Sequence, residues 1–293
     1  GGDLKQLLKL LDDIVKYNPP FIDITSHAAE VIYEETPAGG FIAKIKRKRP
    51  GTLGICALIQ NKYNVDAVPH VICQGFTREE TEDFLIELRY LQIDNVLAIK
   101  GDDSAFNKPI KFGRSVNLRA LDLVHQIKAM NSGKYLEESL LDAEQTDFCV
   151  GVSGYPEKHY EAPNLDIDIM YTKAKIDAGA DYIVTQMFYD NNKYYEYVEK
   201  CRKAGITVPI IPGLKILTSK NHVNSLPKNF FIDIPKELAE NILSSKSEHT
   251  IDIGVEWTLK QVEDLLNHNV PAIHFYIMQS SLPINKLMAK LKL

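Results

Sequence analysis

The chain has 293 residues, of which 45% are hydrophobic and 25% charged, and a formal net charge of −5. That length suits one large α/β barrel or two smaller domains, with ample material for a core. The acidic balance argues against nucleic acid as the main partner. No apolar run is long enough to span a bilayer, and no leading segment reads as a secretory signal.

The chain opens at Gly1-Gly2-Asp3, without an initiator methionine, and enters a helical pattern at Leu4 to Val15. Apolar runs rich in β-branched and aromatic residues then recur at 21–25, 68–73, 95–100, 148–153, 181–186, 208–212 and 272–276. The first is followed by a dense basic cluster, Lys44-Ile45-Lys46-Arg47-Lys48-Arg49, read as a solvated loop with an anion-binding patch as the alternative. Segment 52–60 has strand composition, but Leu53, Cys56, Ala57 and Gln60 fit one helix face, and it is read as helix. Thr77-Arg78-Glu79-Glu80 is a capping-box pattern, followed by Phe84, Leu85, Leu88 and Leu91 at helical spacing. Ile169 and Ile176 lie on another helix that stops at Asp177-Ala178-Gly179-Ala180, with Gly179 just past its end. A third runs from about Lys193 to Ala204-Gly205, and a last from Trp257 to Asn267.

Strands alternating with helices predict a parallel sheet with right-handed crossovers. The expected fold class is α/β, a (β/α)8 TIM-type barrel forming a single catalytic domain over residues 1–293. Seven strands are read where a closed barrel needs eight, so a first strand is expected to be missing ahead of Leu4. An open doubly wound sheet is the alternative architecture. Cys56, Cys73, Cys149 and Cys201 form no Cys-x-x-Cys pair, which argues against a metal site and for buried thiols in a reducing cytoplasm.

In a parallel barrel the carboxyl ends of the strands share one face, where such folds keep their chemistry. Those ends carry Thr25-Ser26-His27, Pro69-His70, Lys100-Gly101-Asp102-Asp103, Tyr155-Pro156-Glu157-Lys158-His159, Thr185-Gln186, Pro212-Gly213 and Tyr276. The sharpest is the buried run 95–99 ending in a cation, a glycine and two carboxylates. Together these predict a polar, aromatic-edged pocket for a sizeable organic ligand. Gly-x-Gly-x-x-Gly, Gly-x-x-x-x-Gly-Lys-Ser/Thr, His-Glu-x-x-His and Gly-x-Ser-x-Gly are all absent.

The motifs Pro69-His70, Lys100-Gly101-Asp102 and Tyr155-Pro156-Glu157-x-His159 resemble those of the methylenetetrahydrofolate reductases. So do Lys175-x-Asp177-Ala178-Gly179-Ala180, Thr185-Gln186-x-Phe188, Ile211-Pro212-Gly213 and His274-Phe275-Tyr276, in order along nearly the whole chain. The resemblance implies a barrel that holds FAD without a Rossmann loop. NADH or NADPH would reduce the flavin, leave, and be replaced by methylenetetrahydrofolate in a ping-pong cycle yielding methyltetrahydrofolate. It implies a place in one-carbon metabolism and methionine biosynthesis, and a homo-oligomer.

By the same resemblance Thr25, His70, Lys100, Gly101, Asp102, Gly113, Tyr155, His159, Asp168 and Lys175 contact FAD. Asp102 lies near both flavin and folate, Gln186 hydrogen-bonds the pterin, and Tyr194 lines its site. Lys100 stands where many relatives have arginine. Leu226 falls where some have phenylalanine, and Ser280 where some have arginine. The family's general acid is a glutamate in a Phe-Glu-x-x-Pro-Pro segment that this chain lacks, as expected if the first strand is not included. The domain that follows the barrel in eukaryotic members is absent too, which suggests the compact bacterial type. Competing functions are a flavin-free barrel lyase or methyltransferase acting on a tetrahydropterin, and a catalytically silent flavin- or folate-binding subunit.

Overall fold

The computed structural model describes residues 4–26, 30–46, 51–101, 113–278 and 280–291. The chain divides into two compact units, Gly1–Val152 with Asp177–Ala180, and Ser153–Ile176 with Asp181–Leu293. In the first lie α1 (Leu4–Val15), β1 (Phe21–Ile24), β2 (Glu30–Glu35), β3 (Phe41–Lys46), α2 (Thr52–Tyr63), β4 (Asp66–Ile72), α3 (Arg78–Tyr90), β5 (Asn95–Ile99), α4 (Ala120–Asn131) and most of β6 (Cys149–Gly154). In the second lie α5 (Leu165–Asp177, bar its last residue), β7 (Tyr182–Met187), α6 (Asn191–Lys203), β8 (Ile210–Leu214), α7 (His222–Phe230), α8 (Lys236–Ser244), α9 (Thr250–Asn267), β9 (His274–Phe275) and α10 (Leu282–Met288).

In the first unit the strand order is β1-β4-β5-β6, and every neighbouring pair is parallel. In the second it is β7-β8-β9, again parallel. Strands covered on both faces need apolar residues throughout rather than in alternation. Val96, Leu97 and Ala98 of β5 are accordingly buried, as is every residue of β8. Parallel strands alternating with helices make the fold α/β, of the TIM-type barrel class that the sequence predicts. All seven expected strands are present, the last cut to two residues.

Local signals read from the sequence act as expected. Segment 52–60 is helical, as part of α2. Thr77 Oγ1 accepts the Glu80 N–H at 3.1 Å while Glu80 Oε2 accepts the Thr77 N–H at 2.9 Å, which closes the capping box of α3. The core of the second unit gathers Met187, Tyr189, Leu217, Leu226, Ile232, Leu238 and Ile242.

One expectation is corrected. Lys44 and Lys46, read as part of a loop, lie in β3, which pairs antiparallel with β2 from Glu35↔Phe41 to Glu30↔Lys46. Residues 47–49 of that cluster lie outside the described residues. The register pairs Lys44 with Ile32 and sets it diagonal to Glu34, with which its exposed side chain forms an ion pair.

Candidate active site

Within the first unit, parallel register brings the carboxyl ends of β1, β4 and β5 to one edge. Ile24 pairs with Pro69, and His70 with Leu97, so Thr25, His70 and Lys100 all fall at or near that edge. Thr25 is exposed, and its carbonyl accepts the Thr52 hydroxyl at 3.3 Å. His70 is half-buried inside β4. Past β5 the ladder continues for one more step, with the Gln74 N–H donating to the Lys100 carbonyl at 3.2 Å. Gly101 then takes φ = +91°, which turns the chain away from the sheet and strongly favours glycine. Gly113 is exposed. Asp102, together with His27 and Asp103, lies outside the described residues.

Sequence reasoning missed Asp23, one residue before the end of β1. Burial pushes its carboxyl up to about 7, and its charge helps push the Cys56 thiol up to about 12. The signal was a carboxylate inside an otherwise apolar run, Phe21-Ile22-Asp23-Ile24.

In the second unit, four predicted residues form one connected group around the end of β6. Tyr155 and Ser153 share a hydrogen bond between hydroxyls at 3.1 Å, and the Tyr155 ring meets His159 edge-on with centroids 4.6 Å apart. The His159 N–H donates to Asp168 Oδ2 at 2.9 Å, and Lys175 Nζ donates to the Ser153 carbonyl at 2.8 Å. Asp168 and Lys175 are seven residues apart in α5, on one face two turns apart, and only 4% and 8% exposed. Burial raises the Asp168 carboxyl while the His159 N–H and Lys175 oppose it, and burial lowers Lys175 to about 8. Both charges are thus used inside the protein, one to hold the loop after β6 and the other to hold the strand end.

That loop is backbone-strained. Lys158 has φ = +80°, and its Nζ donates to the carbonyls of His159 at 3.1 Å and Ala162 at 2.8 Å. A non-glycine residue in this region persists only where its surroundings fix it, a feature that clusters at working sites. The His159 Nδ1 accepts the Glu161 N–H at 3.3 Å, and the Glu161 carboxylate lies 3.8 Å from the same nitrogen.

At the end of β7 the register slips. Val184 pairs with Ile211 but Met187 with Gly213, so Thr185 and Gln186 together face a single residue of β8. Such a bulge re-aims side chains and breaks the ladder locally. Here the Thr185 side chain repairs the break, since its Oγ1 accepts the Gly213 N–H at 2.9 Å. The Thr185 carbonyl accepts the Tyr276 hydroxyl at 2.7 Å instead. A Cβ on Gly213 would sit 2.3 Å from that carbonyl oxygen, so no other residue fits. Half-buried Gln186 accepts its neighbour's N–H, from Met187 at 3.0 Å, through Oε1, and its NH₂ group has no partner among the described residues. It is a donor available to a ligand acceptor. Tyr194, by contrast, is 4% exposed in α6, with its hydroxyl on the Ile210 carbonyl at 2.7 Å and its ring stacked on Phe188. Its place is in the packing between helix and sheet.

The sequence model of the family described as "Methylenetetrahydrofolate reductase" matches residues 2–292. The chain belongs to that family. It is 29% identical over 282 residues to "Methylenetetrahydrofolate reductase 1" of Schizosaccharomyces pombe, covering 94% of this chain and 41% of the yeast protein. It is 27% identical to the "5,10-methylenetetrahydrofolate reductase" of Escherichia coli, covering 79% of this chain and 72% of that one. The chain thus spans about two fifths of the length of the eukaryotic relatives it matches. Among solved structures, an uncharacterized protein from Clostridium thermocellum that binds two copies of 5-methyl-5,6,7,8-tetrahydrofolic acid aligns over 99% of this chain and 89% of its own. Its TM-score is 0.55 at 13% identity, a likeness of fold. Among the described residues no helix is long and apolar enough to cross a membrane.

Proposed function

We propose that this chain reduces 5,10-methylenetetrahydrofolate to 5-methyltetrahydrofolate with NADH or NADPH, in a ping-pong cycle through bound FAD. The observation that carries the reading is the family match over residues 2–292. Curated relatives named as NADH and as NADPH enzymes support a nicotinamide co-substrate of either kind.

The groups present suit a flavin dinucleotide. In the first unit Lys100 offers a cation and Gly101 a backbone turned away from its strand. In the second, the Tyr155–His159 pair offers an aromatic edge. The residues that the family resemblance offers for holding the flavin are Thr25, His70, Lys100, Gly101, Gly113, Tyr155 and His159. The chemistry that FAD would supply there is hydride transfer, from the nicotinamide to the methylene carbon of the folate. Asp168 and Lys175 serve as positioning residues, since their charges already bond the backbone of the His159 loop and of the β6 end. The NH₂ group of Gln186 donates to an acceptor on the pterin, and in the other half-reaction to the nicotinamide carboxamide. Asp102 supplies a carboxylate that favours a cationic iminium on the folate as its five-membered ring opens.

The test is the visible spectrum of the purified protein, before and after anaerobic NADH or NADPH. A flavin band that bleaches and then recovers on adding methylenetetrahydrofolate supports both half-reactions. Bleaching without recovery removes the folate half-reaction, and no flavin band after incubation with FAD sinks the reading.

A further inference from the structure

We propose that Glu157 and Phe231 are positioning residues: they clasp the loop after β6 to the connection between α7 and α8, and so fix where the Tyr155–His159 pair stands. That this pair meets a flavin rests on the reductase reading; the clasp does not. Two contacts close it. The Asp233 N–H donates to Glu157 Oε2 at 2.9 Å. The Tyr160 ring stacks on Phe231, with centroids 4.8 Å apart and planes 20° from parallel. Tyr160 also meets His159 at 4.6 Å, so the rings of Tyr155, His159, Tyr160 and Phe231 run in one row from the β6 end to the connection. Tyr160 and Phe231 stay 43% and 54% exposed, so their contact adds little to the core and acts chiefly on where the loop sits.

The connection is the fixed side of the clasp. Ile232, between the two contact residues, is 4% exposed and packs in the apolar core of the second unit with Leu226 of α7. Phe231 ends α7 in the left-handed conformation, φ = +56°, with its N–H on the Pro227 carbonyl at 2.9 Å. A bulky aromatic is an outlier there, as is Lys158 at φ = +80° on the loop. Such strain persists where the surroundings fix it and gathers at ligand clamps. Here the two strained residues lie on the two segments that touch. Glu157 itself is half-buried, faced by Asp233 of the connection and by Asp190 and Lys193 at the start of α6. Burial pushes its carboxyl from 4.5 up to about 7; Asp233 and Asp190 add to the rise, while the Asp233 N–H and Lys193 oppose it. Opened to water, the carboxyl returns toward 4.5, so between those values the closed clasp holds the extra proton and rising pH weakens closure.

The experiment pairs hydrogen exchange of the full chain without flavin with FAD titration by fluorescence quenching, on wild type, E157A, E157Q and F231L. The amides to follow are those of His159, held by Asp168, and Ala162, held by the His159 carbonyl. F231L lies on the other segment, yet should lower the protection factors of both about 2- to 10-fold. E157A should do the same and also expose the Asp233 amide, and E157Q, which keeps an acceptor, should restore most of it. The Kd for FAD should rise by the same factors in E157A and F231L. From about pH 5 to 8, wild-type protection and FAD affinity should fall more steeply than those of E157Q, a difference that a merely structural contact would not produce. Unchanged His159 and Ala162 protection in both F231L and E157A overturns the clasp. Identical pH profiles for wild type and E157Q, a variant that keeps the shape of the side chain, refute the part given to the carboxyl. An unchanged Kd for FAD in E157A and F231L removes the positioning role. Absence of FAD binding by wild type sinks the reductase reading instead, and the exchange comparison still upholds or overturns the clasp.

Discussion

The bulge in β7 puts a single hydroxyl in charge of a strand junction, and Thr185→Val isolates it. Valine keeps the shape of threonine, so the fully buried site is not emptied. What is lost is the acceptor 2.9 Å from the Gly213 N–H. That N–H belongs to a strand buried along its whole length, so water cannot replace the hydroxyl. Leaving a buried donor unpaired costs about 1–3 kcal/mol, a factor of roughly 5 to 150 in the local closing equilibrium. The assay is hydrogen exchange of the Gly213 amide by NMR, with the urea midpoint measured in parallel. Thr185→Val should speed Gly213 exchange by that factor while amides of β4 and β5 keep their protection. Thr185→Ser, which restores the acceptor and removes only a methyl group, should restore most of the Gly213 protection. Unchanged protection of Gly213 in the valine variant would show that the hydroxyl does not carry the junction.

Four further outcomes follow from the same geometry. Gly254→Ala in α9 should destabilise the second unit by about 1–3 kcal/mol in urea titrations, because its Cβ would stand 2.0 Å from the Leu217 carbonyl oxygen. Gln186→Ala should raise the KM for methylenetetrahydrofolate about tenfold in steady-state assays, since it removes a donor with no partner among the described residues, and should lower the urea midpoint, since the Met187 N–H loses its Oε1 acceptor. Burial lowers Lys175 from 10.5 to about 8, so between those values the unfolded chain holds the extra proton and stability gains with rising pH; urea midpoints of Lys175→Met should lack that rise. His274 is pushed down to about 4 by burial, so from pH 6.5 to 4 the unfolded chain takes up the proton and stability falls, a loss that His274→Gln should lessen.

The parallel strands were legible because each is a short apolar run between helical patterns, and both-face burial writes itself directly into composition. The capping box at Thr77 and Glu80 was legible because it is purely local. The hairpin of β2 and β3 was not. Ile32, Tyr33, Phe41 and Ile42 are all exposed, so the pair carries no alternation between a buried and a solvated face. The bulge was equally hidden, since nothing in Val184-Thr185-Gln186-Met187 states that Gly213 is the partner two residues beyond Ile211. Lys215 reads in sequence as an ordinary charge leaving a strand, yet it is only 8% exposed. Tyr194 shows the converse: a tyrosine early in the helix after β7 looks exposed from sequence, and its ring packs on Phe188.

What the structure adds to a list of polar strand-end residues is a division of labour in the second unit. Asp168, Lys175, Thr185 and Tyr194 have their charges or hydroxyls spent on backbone groups of a loop or strand. The Gln186 NH₂ group and the Lys215 ammonium are spent on nothing among the described residues. A group already bonded in the interior gives a ligand little new energy, but fixes the geometry in which other groups meet it. An unspent donor contributes its full charge-assisted or neutral hydrogen bond when the ligand arrives. Substitutions in the first set should therefore lower stability and kcat together, since the frame itself loosens. Gln186 belongs to both sets: its NH₂ group should act on ligand affinity, while its Oε1, which accepts the Met187 N–H, contributes to the frame.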